Sequence, residues 1–299
     1  MINRVTHQTV QRSTLANLQL NLDRMSGLQG SLSSGKLITK PSDDPSGTAK
    51  AMQFRAEQRA AEQAARNAAD GSSWLTTADT ALQTSLAGLR RARDLTVQGA
   101  STGVLNATAR EALALEIEGL RDALLSQANT SYIGRSVFAG TSDADTAFTG
   151  PTGTPPYTWT GTAGATVERR LAPDTTVRVD VDGRAAFGEG DDSVFAVLDR
   201  IATDLRAGAD VNPRLNEIDT RMTAMLGEIA GVGSRQNQVL SAQDRIEKTL
   251  VDLKGSIAAV EDIDLAATLV DLQAQEVSYQ AALGAASRVL QPSLLDFLR

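Results

Sequence analysis

A chain of 299 residues is long enough for about two domains, and a net charge of −7 argues against a general nucleic-acid or anionic-membrane binder, since both need a basic field. It has no cysteine, which excludes disulfides, thiolate catalysis and cysteine-ligated zinc. Aromatic residues make up only 4%, so the alanine- and leucine-rich remainder suits helix-on-helix packing; no apolar run approaches the roughly 20 residues that span a bilayer, and Met1-Ile2-Asn3-Arg4 opens no signal-peptide segment.

From about Thr9 to Leu32, Leu15, Leu18, Leu22, Met25 and Leu32, with Gln29 in the series, alternate three- and four-residue steps. That spacing makes one stripe on a helix and a seam for a helical partner. Gly35 can close this helix and Pro41 cannot continue it. Asp44 before Pro45 reads as a fresh N-cap with proline at the first helical position. Behind it, Met52, Ala56, Ala60, Ala64 and Ala68 form a small-residue line, and Leu75, Ala78, Leu82, Ser85, Leu89 and Ala92 resume the seam spacing. Gly71-Ser72-Ser73 is a candidate kink, and Gly99 to Gly103 a candidate end. Asn106 or Thr108 caps a third helix carrying Leu113, Ile117, Leu120 and Leu124, antiparallel to the second.

The character changes near Tyr132. Ser136–Gly140, Tyr157–Thr160, Thr166–Glu168 and Thr176–Val181 are β-rich, and Asp182-Gly183 is a candidate hairpin turn. The segment 136–190 is therefore expected to be a small, mainly β insert that can be removed without unfolding the helices. Helix returns at Asp192-Ser193 with Val194, Val197, Leu198, Ile201 and Leu205, and again from Asn212 to about Ile257 with Leu215, Ile218, Met222, Met225, Leu226 and Ile229. After a break at Val260–Asp264, the last helix repeats Leu265, Leu269, Leu272, Glu276, Tyr279, Leu283, Ala286 and Leu290, with Arg288 near its end to suit the helix dipole. Helices of this kind are marginal alone, so the terminal ones want a partner. Leu272 is expected to be covered only when that partner arrives.

No catalytic constellation emerges. Gly30–Lys36 spells a phosphate loop up to its last position, where Leu37 replaces the required hydroxyl, and a heptad helix rather than a strand precedes it. His7 is the only histidine, so a triad or histidine metal site has a single anchor. Asp143/Asp145, Asp180/Asp182 and Asp191/Asp192 lack the calcium-loop spelling and read as solvated turn carboxylates. Arg90-Arg91-Arg93 reads as a charged helix face pairing with neighbouring acids. No catalytic residue, cofactor or metal is expected.

Three stretches together resemble the bacterial flagellin superfamily, and within it the hook–filament junction branch. They are Ser31-Leu32-Ser33-Ser34-Gly35-Lys36 with Pro41-Ser42-Asp43-Asp44-Pro45, then Ile133-Gly134-Arg135-Ser136-Val137-Phe138-Ala139-Gly140-Thr141, then Pro292-Ser293-Leu294-Leu295-Asp296-Phe297-Leu298. The resemblance implies a mainly α fold: a flagellin-like long helical bundle with terminal coiled-coil helices and a small β-rich inserted outer domain. Its parts would be a seam helix and spacer over 1–44, long antiparallel helices over 45–135, the outer domain over 136–190, returning helices over 191–257, and the C-terminal seam helix over 258–299. It implies a structural protein, exported unfolded through the flagellar type III channel by way of an export chaperone. Outside the cell it would self-associate in a ring or helical layer, between a neighbouring hook-associated junction protein and flagellin. The assembly interface would be the seams Leu15, Leu18, Leu22, Met25 and Leu32 with Leu265, Leu269, Leu272, Tyr279, Leu283 and Leu290. The alternative within the family is the filament subunit itself. An enzyme with a helical appendage rests only on the phosphate-loop spelling, and a receptor-like signalling coiled coil would need a membrane span.

Overall fold

The computed structural model describes residues 2–100, 106–153 and 155–290, with the side chains of residues 2–8, 10, 11 and 288–290, His7, Arg288 and Leu290 among them, outside that description, as are 101–103 and the 292–298 ending. In chain order the elements are α1 (Ile2–Ser34), α2 (Pro45–Ala100), α3 (Ala107–Ala128), β1 (Ser131–Tyr132), β2 (Arg135–Ser136), β3 (Glu168–Ala172), β4 (Thr175–Arg178), α4 (Gly183–Phe187), a 3₁₀ turn (Gly190–Asp192), α5 (Val194–Ala207), α6 (Asn212–Glu261) and α7 (Leu265–Leu290). The fold is mainly helical with a small strand-containing region, in keeping with a flagellin-like architecture. No described helix is long and apolar enough to cross a membrane. The chain divides into two compact units, residues 1–60 with 250–299 and residues 61–249.

The larger unit holds the core. The α2 series Leu75, Ala78, Leu82, Ser85, Leu89 and Ala92 is buried throughout, together with Ile117 and Leu124 of α3 and Leu198, Ile201 and Leu205 of α5. Each leucine fully buried this way contributes roughly 1.5–3 kcal/mol. Local capping sets the boundaries: Asn106 accepts the Ala109 N–H to start α3, and Ser193 accepts the Ala196 N–H to start α5. Gly208, in the left-handed conformation, closes α5. α2 continues unbroken through Gly71-Ser72-Ser73. A methyl on Gly71 would come within 3.2 Å of Val179, so the missing side chain lets the insert lie close against the helix.

Strand content in the insert is smaller than its composition predicts. Among the described residues two antiparallel pairs form, β1 with β2 and β3 with β4. Phe148 and Trp159 add one isolated bridge. The β3–β4 turn is Pro173-Asp174 rather than Asp182-Gly183. Asp182 instead accepts the N–H groups of Arg184 and Ala185 and starts α4, while Gly183 donates to the Phe138 carbonyl, which a methyl at that position would meet at 2.6 Å. The segment is held by rings rather than ladders. Phe138, Phe148, Phe187 and Phe195 form edge-on and stacked contacts with centroids 5.2–5.9 Å apart, and Tyr157 lies 5.3 Å from Phe195. Phe195 belongs to α5, so the insert and the helices share one core.

Among the described residues two non-glycines take positive φ, Ile133 at 49° and Tyr157 at 53°. For L-residues that conformation costs roughly 1–2 kcal/mol. Tyr157 is fully buried, and its hydroxyl donates to Asp199 Oδ2 at 2.5 Å. Asp199 also takes a hydrogen bond from Arg121. Burial and the Asp199 carboxylate push the Tyr157 phenol well above its ordinary range, so it stays a donor.

Candidate assembly seam

In the smaller unit, backbone hydrogen bonds clasp the two terminal segments together. Gly35, at φ 70°, ends α1, and its carbonyl accepts the Ile263 N–H at 3.1 Å. The Leu37 N–H donates to the Glu261 carbonyl at 2.6 Å, and Lys36 pairs with Asp262 in antiparallel fashion. Beside this clasp the Glu261 side chain, 5% exposed, accepts from Lys36 Nζ at 2.6 Å and Arg55 Nη2 at 2.7 Å. The Lys36 hydrogen bond and the Arg55 charge hold the Glu261 carboxyl below the usual range, against the opposing effect of its burial.

The Pro41–Pro45 spacer is a folded turn. The Asp43 carboxylate accepts the N–H groups of Thr39 and Lys40 and the Thr39 hydroxyl, and Asp44 accepts the Ser46 N–H and hydroxyl. A methyl on Gly47 would sit 2.7 Å from Ile38 Cδ1, so the Ile38 and Asp44 side chains pack directly on the bare glycine under the spacer. Asp264 then accepts the N–H groups of Ala266 and Ala267 and starts α7.

From the clasp, α1 and α7 run antiparallel, since Gly35 meets Ile263 while Asn21 meets Gln275. Apart from Ser31 beside the groove described below, the half-buried positions of α1 among the described residues are Thr14, Leu18, Asn21, Met25, Leu28 and Leu32. On α7 they are Thr268, Leu272, Gln275, Tyr279, Ala282 and Ala286. Both sets follow a heptad, with Leu18, Met25, Leu32, Leu272, Tyr279 and Ala286 at position a and the others at d. Inside this line Gln275 donates to Asn21 Oδ1 at 3.2 Å, a polar layer of the kind that fixes register.

The periodicity therefore finds the heptad but selects a different flank. Leu18, Met25, Leu32, Leu272 and Tyr279 lie in the contact between α1 and α7. Leu15, Leu22, Leu269 and Leu283 fall at position e and are 52%, 42%, 44% and 44% exposed, and Leu265 is 63% exposed. Leu272 is 8% exposed, because α1 already covers it without any second molecule. Thr14, Asn21, Leu28, Thr268, Gln275 and Ala282 complete the contact and were not among the expected residues.

Helices that run in opposite directions place equal heptad letters on the same side. The g residues confirm this: Arg24 and Ser31 of α1 line one groove of about 630 Å³ with Asp271 and Ser278 of α7. The opposite flank of the pair is then built from the e residues of both helices, Leu15, Leu22 and Gln29 with Leu269, Glu276 and Leu283. One flank is polar and grooved; the other carries four leucines between two polar side chains, largely apolar and uncovered.

Among the described residues no group of three or more histidine, aspartate or glutamate side chains could hold a metal ion. Asp180 is buried and accepts from Val167 N–H and Arg178, which makes it a structural carboxylate. Arg91 pairs with Glu116 and Arg93 with Asp219, as a charged helix face does.

Sequence profiles of two known regions match this chain: the bacterial flagellin N-terminal helical region over residues 5–143 and the bacterial flagellin C-terminal helical region over residues 215–298. The flagellin of Bacillus subtilis (strain 168) is 26% identical over 292 residues, covering 93% of each chain. The flagellar filament 33 kDa core protein of Treponema phagedenis is 26% identical over 295 residues, 96% of this chain and 95% of that one. Among solved structures, the flagellar hook-associated protein-3 of Legionella pneumophila superposes with a TM-score of 0.63 over 70% of this chain and 98% of its own, at 15% identity. FlgL of Bacillus cereus gives 0.59 over 69% and 99%, at 22% identity. At such identities the structural likeness is one of fold.

Proposed function

This chain belongs to the bacterial flagellin family of flagellar structural proteins, and from that premise we propose that it forms the adaptor layer joining hook to filament, assembling through the apolar e flank of its terminal helix pair. The observation that carries the proposal is how burial is distributed in the smaller unit. Among the described residues its buried apolar side chains are only Ala51, Leu253, Leu272 and Ala286, while Leu15, Leu20, Leu22, Met52, Val251, Leu265, Leu269, Val270, Val277 and Leu283 are exposed. Apolar surface of that extent marks an interaction site. Copies of the same pair, stacked side by side, would cover it and form the layer. On either side of the layer would stand a neighbouring hook-associated protein and flagellin, with a chaperone shielding the flank before export.

The junction position rests on the Pro-Ser-Asp-Asp-Pro spacer, the Asp296-Phe297-Leu298 ending and the fold shared with hook-associated proteins. The second reading is the filament subunit, favoured by the near full-length similarity to the Bacillus subtilis flagellin. Electron microscopy of sheared flagella with antibody raised against this chain separates the two. A single labelled band where hook meets filament is the expected result; label along the whole filament, or none, overturns the proposal.

A further inference from the structure

Charged side chains fasten the insert to α6 within the larger unit. Arg235 of α6 folds back so that its Nε donates to the Gly231 carbonyl at 3.1 Å and its Nη1 to the Asp180 carbonyl at 2.6 Å. The Asp180 carboxylate, 1% exposed, accepts the Val167 N–H at 2.7 Å and both Nε and Nη2 of Arg178. One guanidinium from the helix and one from β4 thus converge on a single residue of the insert.

Glu228 shares a face of α6 with Arg235, seven residues before it. Its side chain is 28% exposed, and Arg235 Nη2 stands 4.0 Å from its Oε2. Among the described residues it accepts no hydrogen bond, because Arg178 is turned to the Asp180 carboxylate and Arg235 to two backbone carbonyls. Asp182 adds a second negative charge facing it, with its own Oδ1 taken by the N–H groups of Arg184 and Ala185. The joint therefore sets the carboxylates of Asp180, Asp182 and Glu228 against the guanidiniums of Arg178 and Arg235, one negative charge in excess. Of the three acids, Glu228 is the one without a donor. A partly buried carboxylate so placed favours its neutral, proton-bearing form. Burial raises its carboxyl most, Asp182 adds to that, and Arg235 and Arg178 oppose; the result lies above the ordinary glutamate value of 4.5.

We propose that Glu228 is a proton-binding site in this joint, where uptake of one proton in mildly acidic medium cancels the excess charge and tightens the insert against α6. The site is independent of the assembly reading, and its sign is the reverse of that at Glu261. A group whose folded value is raised gives stability that is complete below the unfolded value and is lost as pH rises through the folded one. Glu228→Gln imitates the proton-bearing form, so the full-length variant should melt about 2 °C or more above wild type near pH 7.5, and the two should converge by about pH 4.5. In wild type, acidification over that range should raise the hydrogen-exchange protection of the Val167 and Val179 amides beyond the change in intrinsic rate; in the variant it should not. Melting temperatures that differ by a constant amount, or protection that follows the intrinsic rate alone in wild type, overturn the proposal. Carbon NMR of the glutamate carboxyls in wild type guards against a variant that fails to fold. One resonance should titrate above the others, and it should move down in Asp182→Asn, which keeps the helix-capping oxygen and removes the facing charge. Glutamates that all titrate together, or a transition that Asp182→Asn leaves in place, overturn the shared charge on which the site depends.

Discussion

Glu261 joins residues far apart in sequence through a single carboxylate: Lys36 and Arg55 both reach its Oε2, and its own backbone carbonyl receives the Leu37 N–H. Each partner cation is partly exposed, at 42% and 49%, so solvent screening limits the gain. Glu261→Gln should cost on the order of 1 kcal/mol rather than the larger value of a sealed pair. The direction of the pH effect follows from the depressed carboxyl. A group whose folded value lies below its unfolded value stabilises the fold above the unfolded value, and that stability is lost as pH falls through the folded one. The ordinary glutamate value is 4.5, so the loss begins below it. Thermal melts followed by helical circular dichroism should therefore separate wild type from Glu261→Gln near pH 7, and the difference should shrink by about pH 3. A difference that stays constant with pH would show that the carboxylate's charge plays no part.

At the scale of elements, α1 and α7 show why a correct period can still leave the face unsettled. Leu18, Met25 and Leu32 belong to two heptad lines at once, one completed by Thr14, Asn21 and Leu28 and the other by Leu15, Leu22 and Gln29. Hydropathy favours the second because it is richer in leucine. The chain buries the first, where Asn21 and Gln275 satisfy each other. That pairing is a long-range fact which no local pattern contains. The long helices, the Asn106-or-Thr108 start of α3, the restart at Asp192-Ser193, the break at Val260–Asp264 and the stop at Gly35 were legible, because each depends on residues within one turn, whereas Asp182-Gly183 starts a helix where a hairpin turn was expected. The choice of flank also reassigns the informative mutation. Leu272→Asp puts a charge into a covered position and should destabilise the isolated chain by about 3 kcal/mol or more. Leu283→Asp changes an exposed position and should stay within about 0.5 kcal/mol, yet abolish incorporation and leave cells non-motile. Melting curves and swimming assays on both variants test this together. Normal swimming by Leu283→Asp would remove the e flank from the assembly.

Taken as a whole, the molecule concentrates its burial between residues 61 and 249. The insert is part of that core, contrary to the separable module its composition predicts, because Phe148, Tyr157 and Phe187 close over Phe195 of α5. Aromatic residues thinly spread through turn-rich sequence gave no sign of where they would converge. Phe148→Ala should accordingly cost about 3–5 kcal/mol, and removing residues 142–190 should lower the helical signal of the remainder rather than spare it. The terminal unit has the opposite balance, few buried apolar groups and many exposed ones, so it should open at a smaller free energy than the rest. Trypsin makes a clean test of this contrast. Residues 142–167 contain no lysine or arginine, so the irregular part of the insert cannot be cut, whereas Arg12, Arg24, Lys36, Lys40 and Lys254 offer sites in the terminal unit. Under native conditions the expected product is a resistant fragment close to residues 61–249, released while the arginines paired in the larger unit, such as Arg121, Arg206 and Arg214, stay uncut. That fragment should stay folded by circular dichroism and fail to enter flagella. Cuts distributed evenly over both units would mean that the α1–α7 pair is as stable as the core, and that the exposed apolar flank does not mark a unit waiting for partners.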